Sequence, residues 1–92
     1  MVAVRFSDQV DGSLLDILEY ISHDNPVAAF DLIEDLQRRI VDVLSQFPDS
    51  GAKAQDGRRS LTIRRYTFVC RHYLAEGEVW VLDVFGPGMD WR

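Results

Sequence analysis

Residues 25–51, NPVAAFDLIEDLQRRIVDVLSQFPDSG, contain the clearest structural signal in the chain. Apolar side chains recur there every three or four residues, which places them on one face of a helix. The members of this apolar stripe are Ala29, Ile33, Leu36, Ile40, Val43 or Leu44, and Phe47. Asn25 can cap the first turn, and Pro26 suits the first helical position because its missing N–H would have no partner there. Pro48 and Gly51 end the segment, so the pattern predicts one long amphipathic helix.

A short strand and another helix precede this segment. Residues 2–6 alternate weakly and include two valines and a phenylalanine, which favours a strand. Ser7 and Asp8 can cap the turn that follows. Apolar residues then recur at helical spacing, at Val10, Leu14, Ile17, Leu18 and Ile21. Because only residues 22–25 separate the two helical patterns, we expect the helices to pack antiparallel as a hairpin.

Beyond Gly51 the apolar period changes from helical to alternating. The pattern predicts a polar loop at 51–57, strands beginning at Leu61 and at Tyr66, a turn around Gly77, and a nearly continuous apolar run at 79–85. Such a run is typical of a central strand that is covered on both faces. We expect its large aromatic residues, Trp80 and Phe85, to belong to the core.

These elements together predict one α+β domain over residues 1–92. Its order is a strand, an antiparallel helical hairpin and then a three-stranded antiparallel meander, with the helices on one face of the sheet. A chain of 92 residues is long enough for one hydrophobic core but short for two.

The composition is that of a globular protein with unevenly placed charge. Apolar residues make up 47% and charged residues 27% of the chain, which excludes a disordered segment. The net charge is −5, and the excess of acids lies in residues 1–50; a general nucleic-acid-binding protein is instead basic. Cys70 is the single cysteine, so we expect neither a disulfide nor a metal site. We find no signal peptide or membrane-length apolar run in the sequence and expect a cytoplasmic protein.

Four segments resemble the ParE/RelE superfamily of bacterial toxins, and its ParE-like branch in particular. They are Leu14–Ile21 (LLDILEYI), Asn25–Gly51 with its Phe47-Pro48-x-x-Gly51 exit, Arg65–Arg71 (RYTFVCR) and Val84–Asp90 (VFGPGMD). Their order and spacing cover nearly the whole chain. The sequence departs from the family pattern at Cys70, where an aromatic residue is usual, and at Gly86, where ParE-like toxins have a histidine.

The resemblance implies the toxin of a type II toxin–antitoxin pair. In this superfamily the ParE branch inhibits DNA gyrase by binding, and the RelE branch cuts mRNA on the ribosome. Cleavage needs an acid, a base and cations around the phosphate. Thr67 stands where RelE-like ribonucleases have an arginine, and His23 and His72 do not match their catalytic positions, so we interpret the chain as a gyrase inhibitor and not an enzyme. The alternatives are a ribosome-dependent endoribonuclease of RelE type and a non-toxic relative that only binds antitoxin.

Two sets of residues are candidate contacts, and we predict no catalytic residue, cofactor or metal ligand. For the target they are Arg59, Arg65, Arg71, Met89, Asp90 and Trp91. For the antitoxin they are Phe30, Leu32 and Val41, which lie off the apolar stripe. The resemblance implies a toxin–antitoxin hetero-oligomer, in which the antitoxin tail folds over the helical hairpin as it binds. Arg71 has a second interpretation, since it could instead pair with Asp83 on the next strand.

Overall fold

The computed structural model describes residues 2–54 and 56–87. Its elements, in chain order, are β1 (Ala3–Phe6), α1 (Asp8–Ser22), α2 (Pro26–Gln46), β2 (Ala52–Lys53), β3 (Arg59–Ile63), β4 (Tyr66–Tyr73), a short 3₁₀ helix (Leu74–Glu76) and β5 (Glu78–Phe85). The predicted α+β class, helical hairpin and meander of β3, β4 and β5 are confirmed.

Both helices begin where their capping residues predict. The Ser7 hydroxyl accepts a hydrogen bond from the Val10 amide at 3.2 Å, and the Asn25 side chain accepts one from Ala28 at 3.1 Å. Pro26 occupies the first position of α2, as expected. Each cap gives a partner to a backbone N–H that has none within its own helix.

The five strands form one sheet in the order β1-β5-β4-β3-β2. β1 runs parallel to β5, whereas every other neighbouring pair is antiparallel. The prediction of a polar loop at 51–57 was wrong for part of its length, because Ala52 and Lys53 pair with β3 as a two-residue strand. Such a short edge strand has too few residues to show an alternating pattern.

The core lies between the helical hairpin and one face of the sheet. Its buried members are Val10, Leu14, Leu36, Ile40, Leu44, Phe68, Cys70, Val79, Val81 and Val84. The α2 stripe is therefore core, as predicted, with one exception. Phe47 is 64% exposed because α2 ends at Gln46 and Phe47 has left the helical backbone.

Two further expectations for β5 were wrong. Trp80 and Phe85 are half-buried and, among the described residues, neither belongs to the core cluster. Arg71 does not pair with Asp83, because the register sets Arg71 opposite Trp80 and Asp83 opposite Val69. Asp83 accepts a hydrogen bond from the Ser13 hydroxyl of α1 at 2.7 Å instead.

The loop between β3 and β4 has an unusual backbone. It consists of Arg64 and Arg65, with φ of 51° and 74°. A two-residue hairpin loop of type I′ needs positive φ at both positions, which Asn-Gly adopts readily. Two arginines carry no such signal, so the sequence pattern did not predict this turn.

Candidate functional site: the open face of the sheet

The side of the sheet that the helices leave uncovered presents a group of charged and aromatic side chains. Side chains alternate along a strand, and the core takes Val4 of β1, Cys70 of β4, and Val79 and Val81 of β5. Arg5, Arg71, Glu78 and Trp80, each next to one of these core residues along its strand, therefore face the opposite way. We call the surface formed by Arg5, Arg71, Tyr73, Glu78 and Trp80 the open face.

Strand register brings the open-face residues into two rows. Arg5 and Arg71 flank Trp80 from the two neighbouring strands, and Tyr73 lies opposite Glu78. β1 and β4 both pair with β5, which lies between them in the sheet. The two arginines share one surface because of this strand order.

The charged groups of the open face are held in defined contacts. The Arg5 guanidinium is hydrogen-bonded to the Glu78 carboxylate, and this contact holds the pKa of Glu78 below its usual value. The Trp80 indole N–H donates to the same carboxylate at 3.4 Å. The Arg71 guanidinium carbon lies 5.7 Å from the centre of the Tyr73 ring, within cation–π range. The face thus combines planar cations with planar aromatic groups, which suits recognition of a protein or nucleic-acid surface.

The two histidines lie away from the open face. His23 follows the end of α1. His72 is opposite the core residue Val79 and therefore faces the helical side of the sheet. Its Nδ1 is 3.0 Å from the Asp49 carboxylate, and only 10% of its side chain is exposed. Neither imidazole is placed to move a proton on the open face.

The structure does not bring the three predicted target-binding arginines together. Arg59 is opposite Cys70 and faces the helical side, where it contacts the carbonyl of Gly51 at 3.4 Å. Arg71 is on the open face. Arg65 is in the hairpin loop, six residues from Arg71 and therefore about 20 Å along the strand. The other three predicted target contacts, Met89, Asp90 and Trp91, lie outside the described residues.

The predicted antitoxin contacts do not all share one surface. Phe30 is 58% exposed and Val41 is 36% exposed, whereas Leu32 is partly buried against the core. At 100° per residue, Leu32 points to a different side of α2 from the other two. Val27, which is 71% exposed, lies on the same side as Phe30.

A cluster of ion pairs joins α2 to the β3–β4 loop. Asp35 accepts from Arg64 at 3.0 Å, from Arg39 at 2.8 Å and also from Arg38. These guanidinium groups, that of Arg64 foremost, lower the pKa of the Asp35 carboxyl. The ion pair between Arg64 and Asp35 links the β3–β4 loop to α2. An exposed pair of this kind contributes little stability.

A cleft of about 730 Å³ opens between α1 and the end of β5. Its mostly apolar lining includes Ile17, Tyr20, Tyr66, Val84 and Phe85. Val84–Pro87, the described part of the terminal motif, forms one wall of the cleft.

Cys70 is a core residue, in keeping with its apolar surroundings. Burial raises the pKa of its thiol to about 12, so the thiol stays protonated and unreactive at neutral pH. Within residues 2–54 and 56–87, no three metal-ligating side chains meet. No helix in that part of the chain is long and apolar enough to cross a membrane.

Comparison with known families identifies the chain. The family model described as the ParE toxin of the type II toxin–antitoxin system parDE matches residues 4–91. The chain belongs to the ParE toxin family. No curated protein matches the sequence.

Solved structures share the fold of this ParE-family chain at low sequence identity. A chain of the chromosomal ParDE system of P. aeruginosa is similar, with a TM-score of 0.78 and 20% identity over 95% of this chain and 97% of that one. The isolated RelE toxin of E. coli is similar with a TM-score of 0.67 and 14% identity, over 99% and 89% of the two chains. A chain of the RelBE2 complex of Mycobacterium tuberculosis has a TM-score of 0.62 and 18% identity, over 92% and 96%.

The structure adds residues to the candidate site of this ParE-family protein that the sequence pattern did not select. Glu78 and Trp80 lie beside Arg71 and Tyr73 through the antiparallel pairing of β4 with β5. Arg5 joins them only through the parallel pairing of β1 with β5. A parallel partner is not visible in the local pattern of either strand. One usable signal was the charged Arg5 at an alternate position of an otherwise apolar strand.

Proposed function

We propose that this toxin acts by binding DNA gyrase, in the cytoplasm, and cleaves no RNA. The observation that supports this most is the placement of both histidines away from the open face. Cleavage through the 2′-hydroxyl needs a base and an acid next to the phosphate, with cations free to stabilise its charge. On the open face the Arg5 cation and the Glu78 carboxylate are already engaged with each other.

The charge of the chain favours the same function. A protein that docks on ribosomal RNA gains affinity by releasing counterions, which requires a positive surface. This chain has a net charge of −5. Its open face instead presents Arg71 and the Glu78-paired Arg5 next to an indole and a phenol. Arginine and aromatic residues are common where protein interfaces are tightest.

We further propose that a cognate antitoxin neutralises the toxin by binding the exposed side of α2. Phe30 and Val41, predicted from the sequence, lie there together with Val27. Exposed apolar side chains in a row at helical spacing suit a partner helix that buries its own apolar face against them. The complex is then a toxin–antitoxin hetero-oligomer, and contacts to membranes or to specific nucleic-acid sequences play no part.

Arg71→Ala tests the proposed contact with gyrase. Removing an interface arginine of this kind costs roughly 10–100-fold in affinity. We expect purified gyrase to need correspondingly more of the variant before its cleaved-DNA complex accumulates, and induced cells to grow better. Arg39→Ala is the matched control, because this arginine is also exposed but lies on α2, away from the open face. Circular dichroism checks that both variants are folded.

Assays of the wild-type protein separate gyrase binding from the alternatives. Ribosome-dependent cuts in mRNA by the wild-type protein, with no effect on gyrase, would identify the RelE-type endoribonuclease. Arg71 and Tyr73, adjacent on the open face, would then be its first candidates for phosphate binding and proton transfer. Normal growth of cells that express the wild-type protein without antitoxin would identify the non-toxic relative.

Phe30→Ser tests the proposed antitoxin surface. Co-expression with the cognate antitoxin should yield a complex, and the variant should bind the antitoxin roughly tenfold or more weakly because it loses an apolar anchor. Leu74→Ser is the control, since Leu74 is 79% exposed and lies in the 3₁₀ helix, outside α2. If both variants weaken antitoxin binding equally, or if neither weakens it, the assignment of this side of α2 to the antitoxin is contradicted.

A further inference from the structure

α2 has a second stripe of residues on the side opposite its core stripe. Val27, Phe30, Glu34, Arg38 and Val41 recur at intervals of three and four residues, and all five are exposed. We call this stripe the outer α2 face. Its apolar members are 71%, 58% and 36% exposed at positions 27, 30 and 41. One helix therefore carries a core face and a second, uncovered face that is partly apolar.

The outer α2 face is complementary to a second copy of itself that runs in the opposite direction. An apolar residue then meets an apolar one, and the acidic residue meets the basic one. From the N-terminal end the face runs apolar at Phe30, acidic at Glu34, basic at Arg38 and apolar at Val41. The midpoint of Phe30 and Val41 is at position 35.5, and that of Glu34 and Arg38 is at 36. With a rise of about 1.5 Å per residue, the two midpoints agree to within about 1 Å along the helix.

We propose that the outer α2 face is the contact surface between two copies of this chain, related by a two-fold axis that crosses this face midway between Glu34 and Arg38. In an isologous contact each patch must fit itself, so a residue pair occurs twice. Antiparallel packing of the two α2 helices sets Glu34 of each copy against Arg38 of the other. It also sets Phe30 of each copy against Val41 of the other, on the same edge of the contact.

The ionic groups of the outer α2 face are available for such a contact. Within residues 2–54 and 56–87, the Glu34 carboxylate has no hydrogen bond or ion pair. Arg38 donates from Nη2 to Asp35, its side chain is 71% exposed, and its remaining N–H groups can donate to a second carboxylate. Two cross-pairs near the axis would offset part of the repulsion between chains that each carry a charge of −5.

The proposed contact concerns the chain alone and does not depend on its target. It covers the surface that we assign to the antitoxin, so the two partners would compete for it. The dimer is expected to be weak and to form at micromolar concentrations, because three apolar side chains per copy make a small interface. The full-length chain without any antitoxin is therefore the right sample.

Reversing the charges of the pair is the test. Sedimentation equilibrium over a concentration series gives the dimer dissociation constant of the wild type, Glu34→Arg, Arg38→Glu and the double variant. Each single variant sets like charges against each other twice across the axis, and we expect it to raise that constant at least about tenfold. The double variant restores opposite charges, and we expect it to return the constant to within about threefold of wild type. Glu19→Arg on α1 changes the net charge as Glu34→Arg does and is the matched control.

The outcomes are distinct. Rescue by the double variant, with Glu19→Arg unchanged from wild type, supports the outer α2 face as the dimer contact. A wild-type chain that stays monomeric throughout the series, a dimer unaffected by the single variants, or a double variant as weak as the single variants overturns it. Circular dichroism of each variant shows that a lost dimer is not a lost fold. Failure here leaves the gyrase proposal intact, since Arg71→Ala and its assay involve none of these residues.

Discussion

Phe68→Ala should remove a large share of the stability of this protein. Phe68 is fully buried between the sheet and the helices, and truncating such a phenylalanine costs about 3–5 kcal/mol in transfer free energy and cavity formation. A domain of this size has a free energy of unfolding of roughly 5–14 kcal/mol in total. We expect the midpoint of thermal unfolding to fall by at least about 12 °C, measured by circular dichroism.

Phe30→Ala is the matched control for that prediction. It removes the same atoms from a side chain that is 58% exposed, so the free energy of unfolding should change by no more than about 0.5 kcal/mol when the chain is monomeric. The comparison then assigns stability to the buried phenylalanine and leaves the exposed one free of any large role in the fold. Similar losses of stability for both variants would mean that Phe30 is also part of the folded core.

Gly51→Ala should destabilise the protein by about 2–4 kcal/mol, combining an unfavourable backbone conformation with a steric clash. Gly51 has a φ of +100°, which L-residues rarely adopt. A Cβ atom there would also lie 2.4 Å from the carbonyl oxygen of Ser60 on β3. Ser60 pairs with Ala52, so relief of the clash must disturb the pairing of β2 with β3. Chemical denaturation by urea measures the change.

Gly12→Ala provides a control of opposite sign. Gly12 lies within α1, and a Cβ atom added there meets no other atom within 4 Å. Alanine loses less backbone entropy than glycine when it enters a helix, so this variant should be more stable by about 0.5–1 kcal/mol. A destabilised Gly12→Ala, or a neutral Gly51→Ala, would contradict the local geometry of the respective segment.

Local sequence patterns predicted an element of this fold well where apolar residues recur at a regular spacing and all face the core. The stripe of α2 with Asn25 and Pro26 at its start is such a case, because capping and amphipathicity are properties of neighbouring residues. Prediction failed where the signal was short or contradicted by the residue type. The strand β2 has two residues, and the β3–β4 loop is made of arginines in a conformation that arginine seldom adopts.

The candidate site was only partly visible from the sequence. Arg71 was selected from its motif, and the structure puts it on the open face. Arg5, Glu78 and Trp80 were not selected, and Trp80 was assigned to the core. Whether an aromatic residue on a strand faces the core or the solvent depends on which sheet face the helices cover. Packing between distant segments decides which face is covered, and the sequence of the strand itself does not show it.

The amino-acid sequence alone determined the class of this protein, the bounds of its two helices, the meander and the family it resembles, because these follow from periodicity, caps and motif order along the chain. Tertiary structure alone decided which side chains become neighbours. The parallel pairing of β1 with β5 brings Arg5 onto the open face. Packing of one α2 stripe into the core leaves the opposite stripe exposed. The reason is that strand register and helix packing join residues far apart in the sequence, such as Arg5 and Glu78, which are 73 positions apart. Their energies depend on contacts that no local segment contains.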